Sequence, residues 1–270
     1  MDILRDFSRR YGNMFRDYRF VDGMDEGVTL VSKDGIFELG FFSPGSSGTR
    51  YLGIWCKKIP VRTVVWVANR SNPINDSTCL LMIDSTSKNL VLDSTSKNLV
   101  LINSNNGVVW SSSNSTKEAQ NPVVQLLDSG NLVLRDGNNG NSGIYLWQSF
   151  DYPTDTLLAG MKIGEIGEKL KPQHSMRLVS WKNWDDPSPG DFVWDLGVVH
   201  DIVESAIKKG SSILFRSGPW NGVTFSGLPQ FTPSQVYDPK FARNEEEVYY
   251  LFYQRDTVLL DISAVNSKID

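Results

Sequence analysis

The sequence predicts an all-β protein, a pseudo-threefold prism of small sheets with a short helical arm at its N-terminus. Short runs of β-branched and aromatic residues alternate with turns rich in Gly, Asn and Ser, which is typical of hairpins and meanders. One strand pattern returns three times at a nearly constant spacing, which indicates repeated structural units. An arginine-rich periodic segment that precedes residue 27 predicts the arm.

Residues 1–26 are expected to form this arm. Leu4, Phe7, Tyr11 and Phe15 recur at the three- and four-residue spacing of an amphipathic helix. Acidic side chains in the same segment nearly cancel its arginines. Loose packing on the main domain is therefore favoured over a membrane-surface or targeting helix. The segment also lacks the apolar stretch of a signal peptide.

The strands are expected from Gly27 onward. Each predicted strand is a short apolar or alternating run that is bounded by turn residues. The runs are Ile36–Phe42, Tyr51–Trp55, Thr63–Ala68, Asn98–Ile102, Val108–Trp110, Val123–Leu127, Asn131–Leu134 and Ile144–Trp147. No segment of helical period and length separates them, so a βαβ architecture is not expected.

Three tryptophans mark the repeats. Trp66, Trp110 and Trp147 each end a predicted strand, and they lie about 36 residues apart once a duplicated segment is discounted. An indole buries a large apolar area and can hold together sheets that are too small to be stable alone. We therefore expect the three rings to fill the axis of the prism. An Asn-Leu-Val-Leu tetrad accompanies the repeats at Asn89–Leu92, Asn98–Leu101 and Asn131–Leu134.

The duplicated segment is Asp84–Leu92, which is copied letter for letter in Asp93–Leu101. Its nine residues are odd in number, whereas side chains alternate with period two along a strand, so simple insertion would reverse the facing of every residue beyond it. The extra copy must therefore loop out or replace a hairpin arm. We favour the loop, with Asn98–Leu101 as the native strand, because this copy runs directly into the Trp110 hairpin.

Composition and motifs exclude several classes of function. The net charge of −4 offers no basic field for nucleic acid, and no apolar run is long enough to cross a bilayer. No catalytic, cofactor-binding or metal-binding motif is present, so neither an enzyme nor a cofactor nor a metal site is expected. The pairs Asp151 with Asp155 and Asp185 with Asp186 are interpreted as turn-forming side chains rather than glycosidase carboxylates.

Several blocks of sequence resemble a known plant family. The first group resembles the bulb-type lectin domain of S-domain (G-type lectin) receptor-like kinases and S-locus glycoproteins, and it comprises Phe37–Gly45, Tyr51–Trp55, Val64–Arg70, Leu127–Leu134 and Trp147–Leu158. A second group, Ser180–Phe192 and Phe215–Gly222, is similar to their second lectin-like domain, the S-locus glycoprotein segment. The blocks occur in the family's order.

The resemblance implies a fold, a location and a function. It implies tandem β-prisms, with a bulb-type lectin domain at 27–155 and a truncated second lectin-like domain at 156–270. It implies a glycoprotein of the cell surface or extracellular space that takes part in pollen recognition or signalling, without its own kinase. Its partners would be a peptide or glycan ligand and sister receptor ectodomains. Two alternatives remain open: a mannose-type carbohydrate-binding lectin, and a non-functional fragment left by gene duplication and truncation.

The sugar site of the resembled lectins is degenerate in this sequence. Mannose-binding members carry Gln-x-Asp-x-Asn-x-Val-x-Tyr, whose alternate residues face a hexose from one side of a strand. In the third repeat only Asn131 and Val133 match, and in the second only Asn98 and Val100 match. Because each lost polar group leaves a sugar hydroxyl unpaired, we expect the two asparagines to serve turns and strand ends instead.

Three glycosylation sequons begin at Asn69, Asn75 and Asn114. They indicate either a secreted protein or the Asn- and Ser-rich composition of the chain. The two cysteines, Cys56 and Cys79, replace an aromatic residue and a glycine of the resembled family. They are either free thiols or a disulfide between neighbouring strands.

The second domain is expected to be the weaker half. Val198–Lys209 has a helix-like or irregular apolar pattern rather than strict alternation. A strand missing from a small sheet would expose its neighbours' edges. The resistant fragment in limited proteolysis is therefore expected to come from the first domain.

Overall fold

The computed structural model describes residues 19–20, 29–46, 48–74, 82–83, 99–102, 107–112, 122–139, 144–166, 175–199, 202–228, 233, 237–244, 247–254 and 263–264. Within these ranges the chain is mainly extended, and no α-helix occurs among them. The predicted all-β class is confirmed.

The described strands pair antiparallel throughout. Their bounds are β1 Arg19–Phe20, β2 Leu30–Val31, β3 Phe37–Phe42, β4 Tyr51–Cys56, β5 Thr63–Val67, β6 Met82–Ile83, β7 Val100–Ile102, β8 Val108–Ser111, β9 Pro122–Leu126, β10 Leu132–Asp136, β11 Trp147–Gln148, β12 Thr156–Leu157, β13 Ile163–Ile166, β14 Ser175–Met176, β15 Leu178–Asn183, β16 Asp186–Val199, β17 Ile202–Lys209, β18 Ser212–Pro219, β19 Tyr237–Arg243, β20 Glu247–Gln254 and β21 Ser263–Ala264. Two 3-10 turns are found at Gly137–Asn139 and Ser149–Asp151.

Three sheets of the first half meet at a tryptophan cluster. They have the strand orders β2-β3-β4-β5, β7-β8 and β9-β10-β11, and they contribute Trp66, Trp110 and Trp147 respectively. Each indole contacts the other two edge to face, with ring centroids 5.8 or 6.1 Å apart. This arrangement brings the positive edge of one ring to the negative face of the next. The predicted pseudo-threefold prism is confirmed.

The strand opposite each tryptophan supplies a fully buried aliphatic residue. The register pairs are Ile54 with Trp66, Leu101 with Trp110, and Leu134 with Trp147. Leu101 and Leu134 end two of the repeated tetrads. The tetrads therefore supply the facing strands of the second and third sheets.

A buried polar side chain follows each tryptophan and accepts a backbone N–H from the facing strand. The pairs of leucine donor and polar acceptor are Leu52 with Asn69 at 2.8 Å, Leu99 with Ser112 at 3.0 Å, and Leu132 with Ser149 at 2.9 Å. All six residues are buried. Because a buried amide without a partner is destabilising, this repeated hydrogen bond lets each sheet end inside the core.

The second half contains two four-stranded sheets, with strand orders β15-β16-β17-β18 and β14-β13-β20-β19. Aromatic rings supply much of their shared core. Tyr250 contacts Trp194, Trp220 and Phe225 at centroid distances of 6.3, 6.2 and 5.5 Å. The boundary predicted at residue 155 stays a prediction.

The prediction of a helix-like or irregular stretch at Val198–Lys209 is wrong. β16 and β17 form a continuous antiparallel hairpin across it. Neighbouring residues Ser205 and Ala206 point to opposite faces of β17, and both are buried. Val203 and Ser205 share one covered face of this strand and Ala206 lies on the other. Apolar and polar residues therefore do not alternate along β17, and a periodicity argument does not recognise it as a strand. The missing strand from which a weaker second domain was expected is therefore present.

Of the predicted arm, only Arg19 and Phe20 fall within the described residues. They are extended rather than helical, because β1 pairs with β6. The helix expected over the rest of 1–26 lies outside the described residues.

The second copy of the duplicated segment provides a strand, as expected. Val100 and Leu101 belong to β7 and pair with β8, whereas the first copy, Asp84–Leu92, lies outside the described residues. Cys56 in β4 is buried with a free thiol, so it forms no disulfide. Cys79 also lies outside the described ranges.

Candidate recognition surfaces

Asn131 and Val133 lie in the core rather than on an open strand face. Val133 is completely buried in β10, and Asn131 precedes that strand with its side chain almost fully covered. The Asn131 amide donates to Gln148 Oε1 at 2.9 Å, and its carbonyl oxygen accepts from Ser149 Oγ and the Phe150 N–H, both at 3.2 Å. These bonds fix the turn that follows β11. They also occupy both polar atoms of the Asn131 side chain, which a hexose would need as hydrogen-bond partners.

The equivalent positions of the second repeat give less information. Val100 is half-buried in β7, and Asn98 lies outside the described residues. Of the four matching positions the structure therefore describes Val100, Asn131 and Val133, and the polar side chain among these three, Asn131, is buried.

Asn69, the first sequon asparagine, is also buried. Besides accepting the Leu52 amide, its side chain donates to the backbone carbonyls of Arg50 at 3.4 Å and Asn72 at 3.1 Å. An N-linked sugar would replace one of these hydrogens and would need space that the folded chain fills. Asn75 and Asn114 lie outside the described ranges.

The carboxylate pairs do not form a catalytic arrangement. Asp186 Oδ1 accepts the Ser188 N–H at 2.9 Å, which is the predicted turn role, and the hydrogen bond from the Ser188 hydroxyl holds the pKa of Asp186 below its usual range. Asp155 is buried instead. In the part of the chain that the structure describes, no group of three potential metal ligands occurs. No helix there is long and apolar enough to cross a membrane.

A charged hollow of about 580 Å³ opens on the second half. It is lined by Arg177, Asp191, Val193, Asp195, Lys208, Lys209 and Gly210. Lys208 bonds Asp195 at 2.9 Å, and Lys209 lies 3.7 Å from Asp191. Of the three remaining lining residues, Val193 adds an apolar side chain and the exposed Arg177 adds a cation, and the third is Gly210.

An apolar edge strand lies beside this hollow. Ile213, Leu214 and Phe215 of β18 are 43%, 50% and 37% exposed, although they follow one another in a strand. β18 ends its sheet, so its outer edge has no strand partner among the described residues. Natural edge strands are usually protected by charges or proline. Here the nearest charge, Arg216, is engaged by Glu204.

The hollow and the edge strand form one continuous surface, because β17 contributes to both. Lys208 pairs with Ile213 across the β17–β18 hairpin, and Lys209 pairs with Ser212. We call this the hairpin surface. Sequence reasoning missed it, because Asp191 and Asp195 meet Lys209 and Lys208 only through the pairing of β16 with β17, which was not predicted. The apolar run Ile213–Phe215 was the available signal.

The small sheets around a tryptophan axis have the arrangement of a β-prism lectin domain, and Asn131 and Val133 lie in its core. The family model for D-mannose binding lectin matches residues 63–182, and that for the S-locus glycoprotein domain matches residues 215–268. The chain thus carries a lectin domain followed by S-locus glycoprotein sequence, and it is a homologue of S-locus glycoproteins and S-domain receptor kinases.

Individual relatives cover most of this chain. It is 45% identical to the S-locus-specific glycoprotein S6 of Brassica oleracea, over 89% of this chain and 52% of that protein. It is 43% identical to the receptor-like serine/threonine-protein kinase SD1-7 of Arabidopsis thaliana, over 88% of this chain and 26% of the kinase. The chain therefore spans about half the length of the glycoprotein relatives and about a quarter of the kinase.

Proposed function

We propose that the chain is a ligand-recognition module of the S-domain type and that it binds a peptide ligand through the hairpin surface. The observation that supports this most strongly is the exposure of three consecutive apolar residues on the free edge of β18. An extended peptide can add to such an edge, with backbone hydrogen bonds giving affinity and side-chain pockets giving specificity. The adjacent charged hollow would select among peptides by charge.

The state of the lectin positions favours a peptide over a sugar. The Asn131 side chain already donates to Gln148 and accepts from Ser149 and Phe150. A hexose that bound to this side chain would therefore have to break existing hydrogen bonds in order to form new ones. The net contribution of an exchanged hydrogen bond is small, about 1 kcal/mol. Monosaccharide binding here would therefore be weak.

The family relationship supports a wider role. S-locus glycoproteins and receptor-like kinases are the proteins to which this chain is homologous, and the matched part contains no kinase domain. We therefore assign it no catalysis, and we place it outside the cell or at its surface, in pollen recognition or related signalling. It would act there with sister receptor ectodomains.

A peptide-selection experiment tests this function. Clones from a random phage-displayed peptide library are selected on the purified chain, and their affinities are measured for wild type, Phe215→Lys and Val61→Lys. Val61 is an exposed apolar residue of the β4–β5 connection and serves as the matched control. We expect Phe215→Lys to weaken binding about tenfold or more and Val61→Lys to leave it unchanged. Clones that tolerate Phe215→Lys would contradict the hairpin surface as the site.

Mannose binding is the second candidate, because the matching family is described as a D-mannose binding lectin. Calorimetric titration with mannose and with a mannan distinguishes the two functions. We expect no heat with either sugar. Saturable binding of mannose, accompanied by loss of selected peptides, would favour the lectin function instead.

A further inference from the structure

Arg70 connects the first half to the β15–β16 hairpin of the second half. Its nearly buried guanidinium donates three hydrogen bonds to backbone carbonyls: Nε to Pro187 at 2.8 Å, Nη1 to Val179 at 3.0 Å and Nη2 to Ser180 at 2.7 Å. Hydrogen bonds from a charged donor are stronger than neutral ones. One side chain therefore holds both strands of the hairpin.

Other contacts align the same hairpin with the first half. Trp181 of β15 stacks on Phe42 of β3 with ring centroids 6.3 Å apart. The Val179 N–H donates to the carbonyl of Thr154 at 2.7 Å, in the segment that leads into β12. Arg70 thus lies within a packed seam rather than at an isolated contact.

Asp155 is the acidic side chain that faces Arg70 in this seam. It is 8% exposed and accepts a hydrogen bond from the Thr154 hydroxyl at 3.1 Å. Arg70 and Trp181 are the other side chains that affect the pKa of Asp155, and both lower it. Within the described structure, Asp155 and Arg70 do not form a direct ion pair. Burial raises the pKa of Asp155 to about 6, and it outweighs the opposing attraction of Arg70.

We propose that Arg70 and Asp155 form a proton-dependent latch, which holds the β15–β16 hairpin most firmly when Asp155 is protonated. A neutral Asp155 leaves Arg70 free to serve the three carbonyls. An ionised Asp155 must be kept in a poorly hydrated seam, and it draws Arg70 away from those carbonyls. The latch would set how firmly the hairpin surface is fixed to the lectin domain, and it does not depend on which ligand binds there.

The direction of the pH effect follows from linkage. The folded-state pKa of Asp155 is raised above the ordinary value of 3.8, so its stabilising contribution is complete below that value. It is lost as the pH rises through about 6. The unfolding equilibrium constant should therefore increase about fiftyfold, just under two decades, between pH 4 and pH 7 because of this group.

Unfolding by urea across this pH range tests the energetic part. Wild type, Asp155→Asn and Asp34→Asn are compared, since Asp34 is an exposed loop carboxylate and reports the background of other acids. We expect Asp155→Asn to remove about two decades of the pH dependence and Asp34→Asn to leave it as in wild type. Equal pH dependence in wild type and Asp155→Asn would overturn the latch.

Hydrogen exchange tests the structural part. After correction for intrinsic rates, amides of β15 in wild type should be less protected at about pH 7.5 than at about pH 4.5, and this difference should vanish in Asp155→Asn. Arg70→Lys, which keeps the charge without the three-pronged donor, should lower protection at both pH values. If the protection of β15 is the same at both pH values and is unchanged by Arg70→Lys, the proposal is contradicted.

A fallback experiment applies if Asp155→Asn does not fold. The pKa of the wild-type Asp155 carboxyl is then measured by NMR titration, and a pKa at or below 4 refutes the latch.

Discussion

The indole N–H of Trp66 donates a hydrogen bond to the backbone carbonyl of Tyr152 at 2.9 Å. The ring of Tyr152 in turn stacks on Trp147, with centroids 5.8 Å apart and planes 18° from parallel. The segment that follows the third sheet is therefore fastened to the tryptophan of the first sheet. Among the described residues no strand pairing joins these two sheets, so this contact is what closes the ring.

Removing one ring from the tryptophan cluster should be strongly destabilising. Trp147→Ala deletes a buried side chain that contacts Trp66, Trp110 and Tyr152, and we expect it to lower the free energy of unfolding by about 3–5 kcal/mol. Urea unfolding measures the loss. Trp184→Ala is the control, since this indole is 76% exposed, and its effect should stay within about 0.5 kcal/mol. Similar losses from both variants would contradict the axial role.

Asn69 should carry no glycan when the chain is expressed through a secretory pathway and recovered folded, in spite of its sequon. Its buried amide serves Leu52, Arg50 and Asn72, so Asn69→Ala should destabilise the fold by about 1–3 kcal/mol through lost hydrogen bonds. Peptide mass spectrometry after enzymatic deglycosylation reads the occupancy. Ser71→Ala is the matched control, because it removes the sequon at an exposed position and should alter neither mass nor stability. A glycan found at Asn69 would contradict the burial of its amide.

The repeated polar acceptors should be unequal in energy. Ser149→Ala deprives the Leu132 amide of its acceptor and also removes the donor to Asn131 Oδ1, whereas Ser112→Ala affects the Leu99 amide alone among the bonds described. Each lost bond to a buried group should lower stability by about 1–3 kcal/mol. Ser149→Ala should therefore show the larger decrease in thermal unfolding. A larger decrease for Ser112→Ala would show that these bonds do not set the energetics of the repeats.

Two strand glycines of the second half should respond in opposite ways to alanine. Gly164 of β13 has φ +145°, and a Cβ there would meet the carbonyl oxygen of Val248 at 2.1 Å. Gly164→Ala should therefore lower the free energy of unfolding by about 3 kcal/mol or more. Gly197 of β16 has open space at this position, and Gly197→Ala should be neutral or slightly stabilising. Equal effects in chemical denaturation would refute the close strand approach at Gly164.

The tryptophan cluster was predictable from the sequence because equivalent rings recur at a fixed interval and need a common core. The strand opposite Trp110, β7, was predictable for a similar reason, since the tetrad Asn98–Leu101 supplies its first two residues. The hairpin at β16–β17 was not, because β17 has buried residues on both faces, the polar Ser205 among them, so apolar and polar residues do not alternate along it.

The polar residues were harder to interpret than the apolar ones. A sequon is the sequence that a glycosylating enzyme recognises in an extended chain. It does not indicate whether the Asn69 side chain will be buried in the fold as the acceptor for the Leu52 N–H. Likewise Asp155 follows a Pro-Thr pair that is typical of a turn, and only the tertiary arrangement places it beside Arg70. The charges of the hairpin surface come together through the pairing of β16 with β17, so their arrangement could not be predicted while that hairpin was not recognised.

The duplication shows how this architecture tolerates changes in length. The additional residues come in the sequence between Ile83 of β6 and Val100 of β7, two strands that belong to different sheets. Each sheet completes its own hydrogen bonds and gives only a single ring to the shared axis. A change in the length of a connection therefore has no register to disturb elsewhere. In evolutionary terms, the connections can diversify while the ring of indoles holds the fold constant.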